Sequence, residues 1–150
     1  MRRIGPQGLA IIKRFEGFSP VVYICPAGYP TIGYGHVVRA GESFTALSEE
    51  EAERLLQRDV AEAERSVLRL IQVPLEDHQF DALVSFTFNL GGGALQRSTL
   101  RQKVNREEHG DVPDEFRKWI YAGGRILRGL VRRREAEAHL YEYGELMWQD

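Results

Sequence analysis

Residues 15–36 read FEGFSPVVYICPAGYPTIGYGH, and the spacing of Gly and Pro in this stretch decides the fold. Upstream, Leu9, Ile12 and Phe15 recur at three-residue steps, which predicts a one-sided helix over Gly8–Glu16 with Gly17 as its C-cap. Beyond it, VVYI (21–24) and TIGYGH (31–36) are β-rich and flank CPAGYP (25–30), so a small hairpin or meander is predicted.

Downstream the pattern changes from strand to helix. Ser48 and Glu51 have the spacing of a capping box. Behind them Ala52, Leu55, Leu56, Val60, Ala63, Val67 and Ile71 keep helical spacing until Pro74, which predicts one long helix. EDHQFDALVSFTFNL (76–90) is apolar on nearly every face, as a central bundle helix is, and GGG (91–93) stops it. Further helices are predicted over about Leu95–Asn105, Pro113–Tyr121 and Leu130–Tyr143. The predicted fold class is α+β and mostly helical. It is one domain over 1–150, with a hairpin-bearing lobe over about 1–50, a connecting helix over about 51–73 and a helical lobe over about 74–150. The expected cleft lies between the lobes.

Glu16, Cys25 and Thr31 carry the candidate chemistry, separated by eight and five residues. A carboxyl group at a helix end among aromatic residues is a candidate proton donor to a leaving oxygen; the plain alternative is a solvated Glu at a helix end. If Cys25 ends one strand and Thr31 opens the next, the two are expected roughly opposite each other, able to hold a water. Gly33 and Gly35 share Thr31's face by period two, which would clear a floor for a chain-like ligand. For Cys25 the plain alternative is a small buried hydrophobe.

Glu16, Cys25 and Thr31 within FEG…TIGYGH resemble the catalytic segment of the phage-type lysozymes, glycoside hydrolase family 24. The likeness continues through FDALVSFTFNLGGGALQRSTL (80–100), FRKWIYAGG (116–124) and GLVRRREAEAHLY (129–141). It implies a lysozyme-like two-lobe fold and an N-acetylmuramidase, an endolysin that hydrolyses the β-1,4 bond between N-acetylmuramic acid and N-acetylglucosamine in peptidoglycan. By position, Glu16 would be the general acid and Thr31 would help hold the attacking water. The position of Cys25 is more usually Asp in this family, so this chain resembles its Cys-bearing variant. An ordinary thiol, with a pKa of about 8.5, is only a few per cent thiolate at neutral pH. Cys25 is therefore a base with a lowered pKa, a nucleophile that gives a thioglycosyl intermediate, or a neutral group that orients water. The alternative functions are a lytic transglycosylase on the same bond and a non-catalytic peptidoglycan-binding module.

The expected substrate contacts are Asn89, Gly33, Tyr34, Ser98 and Arg133, of which the resemblance implies the Asn89 amide and an arginine of the 132–134 run. Asn89 could instead cap its helix, and Ser98 and Thr99 read as an N-cap. Arg132–Arg134 read as a charged solvated face, while the family implies that one of the three pairs with the catalytic Glu. His36 is expected to be structural, the partner of an acidic group. Trp119 and Trp148 are expected in the packing.

With a net charge of -2, no basic field argues for nucleic acid. The four His show no metal-ligand spacing and the glycines lie in no βαβ context, so no metal or cofactor is expected. The single Cys leaves no internal disulfide. MRRIGPQGLAIIKRFEGF starts basic, but its apolar run is short and broken, unlike a signal peptide or membrane anchor. The expected partner is peptidoglycan glycan strands. The expected state is a monomer made in the host bacterial cytoplasm and released to the periplasmic wall through a holin-type lesion.

Overall fold

The computed structural model describes residues 1–149. They form α1 (Pro6–Glu16), β1 (Ser19–Ile24), β2 (Pro30–Gly33), β3 (His36–Val37), α2 (Glu49–Asp59), α3 (Ala61–Leu70), α4 (Asp77–Leu90), α5 (Gly92–Arg97), α6 (Thr99–Asn105), a 3₁₀ turn (His109–Asp111), α7 (Val112–Arg117), β4 (Tyr121–Ala122), β5 (Arg125–Ile126) and α8 (Arg128–Tyr143). The predicted α+β, mostly helical class is what the chain adopts.

Two compact units divide the chain. Ile12–Ala61 forms one, and residues 1–11 together with those from Glu62 onward form the other. The expected lobe over about 1–50 thus loses its first eleven residues to the helical unit. Side chains from far along the chain hold them there. Glu64 Oε2 accepts from the Ile4 amide at 2.6 Å, and the Asp81 carboxylate accepts from the Gly5 and Gly8 amides at 2.9 and 3.1 Å. Asp81 therefore caps the exposed N–H groups at the start of α1 from another helix. A Cβ on Gly8 would lie 2.6 Å from Ile4 and 2.9 Å from Asp81, so only glycine allows that approach.

In the Ile12–Ala61 unit, β1, β2 and β3 make an antiparallel sheet in that order. Tyr23 pairs with Thr31 and Ile24 with Pro30; Thr31 pairs with Val37 and Ile32 with His36. Ser48 caps α2 through the predicted capping box with Glu51. Every residue named above on the long apolar pattern, Ala52 to Ile71, is buried. The helix is nevertheless two helices. Val60 separates α2 from α3 with helical backbone angles, and its amide donates to both Arg58 O and Leu56 O, which tightens the turn there.

In the helical unit, α4 packs on α5 and α8, and α7 packs on α8. Residues 80–87 of α4 are all buried, as an all-round apolar helix requires. Gly91, at φ +92°, ends α4, but the next two glycines begin α5. The predicted Leu95–Asn105 helix is broken by Ser98 into α5 and α6, and the predicted Pro113–Tyr121 helix ends at Arg117. Tyr121–Ile126 instead form a hairpin on Gly123 and Gly124, both at positive φ, the signature of a type I′ turn. Trp119 is half-buried rather than in the core, edge-on to Phe86 at 5.6 Å, and Trp148, expected in the C-terminal packing, is half-buried.

Candidate active site

Glu16 is the last residue of α1. Gly17 turns the chain at φ +73°, and its amide closes the helix onto Lys13 O at 2.9 Å. The carboxyl group lies beside Gly35, where an added Cβ would sit 3.1 Å from Oε1. Gly35, at φ +79°, leaves that space open. Glu16, Phe18, Ser19 and Tyr23 line an open depression of about 240 Å³. Tyr34 stacks obliquely on Phe18, with centroids 5.4 Å apart, and the Lys13 ammonium lies 5.6 Å over its ring. Tyr34 thus belongs to the aromatic border of this region.

Cys25 follows β1 and is half-exposed. Its amide donates to Tyr29 O at 3.0 Å, and its carbonyl accepts from Gly28 N at 2.8 Å, with Gly28 at φ +90°. This turn wraps backbone amides around the sulfur. The Tyr29 amide and then the Thr31 hydroxyl hold the thiol below its ordinary pKa. Partial burial opposes them, and the Ala27 and Gly28 amides add smaller contributions.

The register corrects one expectation. Thr31 faces Tyr23, and Cys25 faces Tyr29, so sulfur and hydroxyl meet on a diagonal of one sheet face. Tyr23 connects the parts, because it lines the Glu16 depression and is Thr31's register partner. Thr31 is only 3% exposed, and its hydroxyl donates to Tyr29 O at 2.9 Å. Its proton is already committed, which weakens the expectation that it holds a water directly.

His36 takes the structural position expected of it. Nδ1 lies 2.7 Å from Asp59 Oδ2 and Nε2 lies 2.9 Å from Glu42 Oε1, with the ring buried. The second carboxylate, Glu42, was missed, because nothing local marks it.

Other expected contacts are placed elsewhere. Gly33 is buried, and its missing Cβ makes room for Ala52, 3.3 Å away, rather than for a ligand. Ser98 is 2% exposed; it donates to Leu95 O at 2.7 Å and accepts from the Arg101 amide at 3.0 Å, so it caps α6. Arg133 and Arg134 are buried, not a solvated face. Both reach Glu137, which is fully buried: Arg134 Nε lies 2.7 Å from Oε1 and Arg133 Nε lies 3.3 Å from Oε2. Arg133 Nη2 also donates to Ser85 O at 3.3 Å. Asn89 is half-buried, and its Oδ1 accepts from Arg134 Nη2 at 2.8 Å.

A model of the phage lysozyme family matches residues 13–137. The chain is 43% identical over 144 residues to an endolysin of Bacillus phage B103, covering 95% of this chain and 55% of that protein. It is 40% identical to an endolysin of Acyrthosiphon pisum secondary endosymbiont phage 1, covering 93% of this chain and 97% of that protein. The chain therefore spans about half of one relative and nearly all of the other. Among solved structures, the endolysin from Escherichia coli O157:H7 phage FAHEc1 is similar at a TM-score of 0.89 and 33% identity, with 97% of each chain covered. With most of its length matched in sequence and in fold, the chain belongs to the phage lysozyme family, a family of peptidoglycan-cleaving glycosidases.

Proposed function

We propose that this chain is an endolysin, an N-acetylmuramidase that hydrolyses the β-1,4 bond between N-acetylmuramic acid and N-acetylglucosamine, with Cys25 as its base. The observation that carries the reading is the acidified, half-exposed thiol on the hairpin whose Tyr23 lines the Glu16 depression.

In this reading Glu16 gives its proton to the glycosidic oxygen as that bond breaks. A water attacks the anomeric carbon, and the Cys25 thiolate takes the water's proton. Thr31 acts through the sulfur. A hydroxyl has one proton and two lone pairs, so Thr31 can accept from the S–H while donating to Tyr29 O, or turn its proton to the thiolate. A base acting on water from the far side of the sugar gives inversion, with acid and base about 6.5–9.5 Å apart. A sulfur nucleophile would give retention. The half-exposed Cys25, open to a water, favours the base.

The test is digestion of sacculi by wild type and Glu16→Gln. Loss of a general acid costs about 10²–10⁴ in rate. Proton NMR of the first anomer released should show the α product. 1,6-Anhydro ends would instead identify a transglycosylase, and equal clearing by both proteins would leave only a wall-binding module. We further propose that the chain acts in the wall as a monomer after a holin-type lesion. Among the described residues no helix is long and apolar enough to cross a membrane. Lysis that is unchanged when the lesion protein is omitted would refute that route.

A further inference from the structure

The helical unit carries a second depression, of about 390 Å³, where α3 meets α5; Glu62, Arg65, Ser66, Arg69, Gly92 and Gly93 line it. Its size is that of a small-molecule site, roughly 300–1,000 Å³. Arg65 and Arg69 are one helical turn apart on α3, and both are exposed. Among the described residues neither has a carboxylate within ion-pair distance. A Cβ on Gly92 would fall 2.6 Å from Ser66 Oγ, so the start of α5 lies directly on α3. A Cβ on Gly93 would have only Arg97 Nη1 near it, at 3.6 Å, which puts a third guanidinium at the edge. Arg65 and Arg69 thus line a depression that holds one carboxylate, Glu62, with Arg97 beside Gly93 and its guanidinium 5.9 Å over the Trp119 ring, on a chain whose net charge is -2.

Guanidinium forks match carboxylate and phosphate oxygens two at a time. A planar carboxylate is satisfied by one fork. Two forks one turn apart offer more donors than a carboxylate can accept and suit a tetrahedral group with three or more acceptor oxygens. We propose that this depression is an anion site that takes a phosphate group, held by Arg65 and Arg69 with Arg97 at its edge. The site is separate from the glycan chemistry and does not depend on it. Glu62 lowers its affinity and is the built-in control.

The experiment is a ¹⁵N NMR titration of the full chain at constant ionic strength with inorganic phosphate, with bis-glycerol phosphodiester, and with acetate. Saturable shifts at the Gly92 and Gly93 amides are expected with the phosphates and not with acetate. Affinity should fall at least about tenfold in Arg65→Gln/Arg69→Gln and rise several-fold in Glu62→Gln, since pairs of this kind are charge-assisted. A gain in the Glu62 variant cannot come from misfolding. Tighter binding of the diester than of inorganic phosphate assigns a phosphodiester polymer as the source, and the reverse order assigns free phosphate. Shifts that do not saturate, that acetate reproduces, or that survive the double Arg substitution overturn the proposal.

Discussion

Cys25 and Thr31 share one acceptor at the mouth of the β1–β2 hairpin: the Tyr29 carbonyl accepts from the Cys25 amide at 3.0 Å and from the Thr31 hydroxyl at 2.9 Å. The Tyr29 amide and then the Thr31 hydroxyl hold the Cys25 thiol below its ordinary pKa, so the residue that accepts from both groups also acidifies the sulfur. The backbone of one residue therefore holds both groups in place.

Thr31→Val should remove the hydroxyl without changing side-chain shape. The thiol should then titrate higher, so alkylation of Cys25 near neutral pH slows. Hydrolysis should slow in the same pH range, and its acid limb should move to higher pH as the thiolate is lost earlier on acidification. Iodoacetamide rates and a kcat/KM profile measured on the same preparations check this. Unchanged alkylation would remove Thr31 from the thiol's environment.

At the sulfur itself, Cys25→Ser should impair turnover far more than folding, because a hydroxyl is a much weaker base than a thiolate. Cys25→Asp should keep substantial activity if the sulfur serves as a base. Sacculus clearing with a parallel thermal melt separates the two effects. An inert, folded Cys25→Asp would mean that the chemistry requires sulfur.

Gly35→Ala would place a methyl group about 3.1 Å from Glu16 Oε1 on a backbone at φ +79°. Such φ values strain any L side chain by about 1–3 kcal/mol. The displaced carboxyl should lower kcat with a small change in KM. Steady-state kinetics on soluble glycan fragments reads the split.

The His36 clamp should make the hairpin unit acid-sensitive. The His36 ring first, then the Arg39 amide, hold the Glu42 carboxyl below its ordinary pKa, with burial opposing. A carboxylate lowered in the folded state contributes stability above its unfolded value and loses it as pH falls through the folded one. The melting-temperature gap between wild type and Glu42→Gln should therefore narrow as pH drops through the acidic carboxylate range. A gap that widens in acid would contradict this.

In the helical unit, Glu137→Leu should cost about 3–5 kcal/mol, because it leaves Arg134 buried without its partner. Replacing both with apolar residues (Arg134→Met/Glu137→Leu) should cost less than the sum of the single changes. Denaturant melts of the four proteins complete the cycle.

Some of this was legible along the chain and some was not. The Gly17 cap, the Ser48–Glu51 box and the β1–β2 hairpin were legible because their hydrogen bonds close within a few residues, where residue type and spacing decide geometry. The β4–β5 hairpin carried a comparable signal, Gly-Gly between β-forming residues, but the helical reading of its neighbours hid it. Burial periodicity likewise marked every core position from Ala52 to Ile71, though not the turn at Val60.

The amino-acid order alone determined the family, the Gly17 end of α1, the Ser48 start of α2 and the spacing of Glu16, Cys25 and Thr31. Only tertiary packing decided that Arg133 and Arg134 go inside, that Gly33 serves Ala52, and that Asp81 caps a helix 73 residues away. The reason is physical. A charged or small side chain is neutral between solvent and interior until its partner arrives, and those partners come from elements that no local pattern specifies.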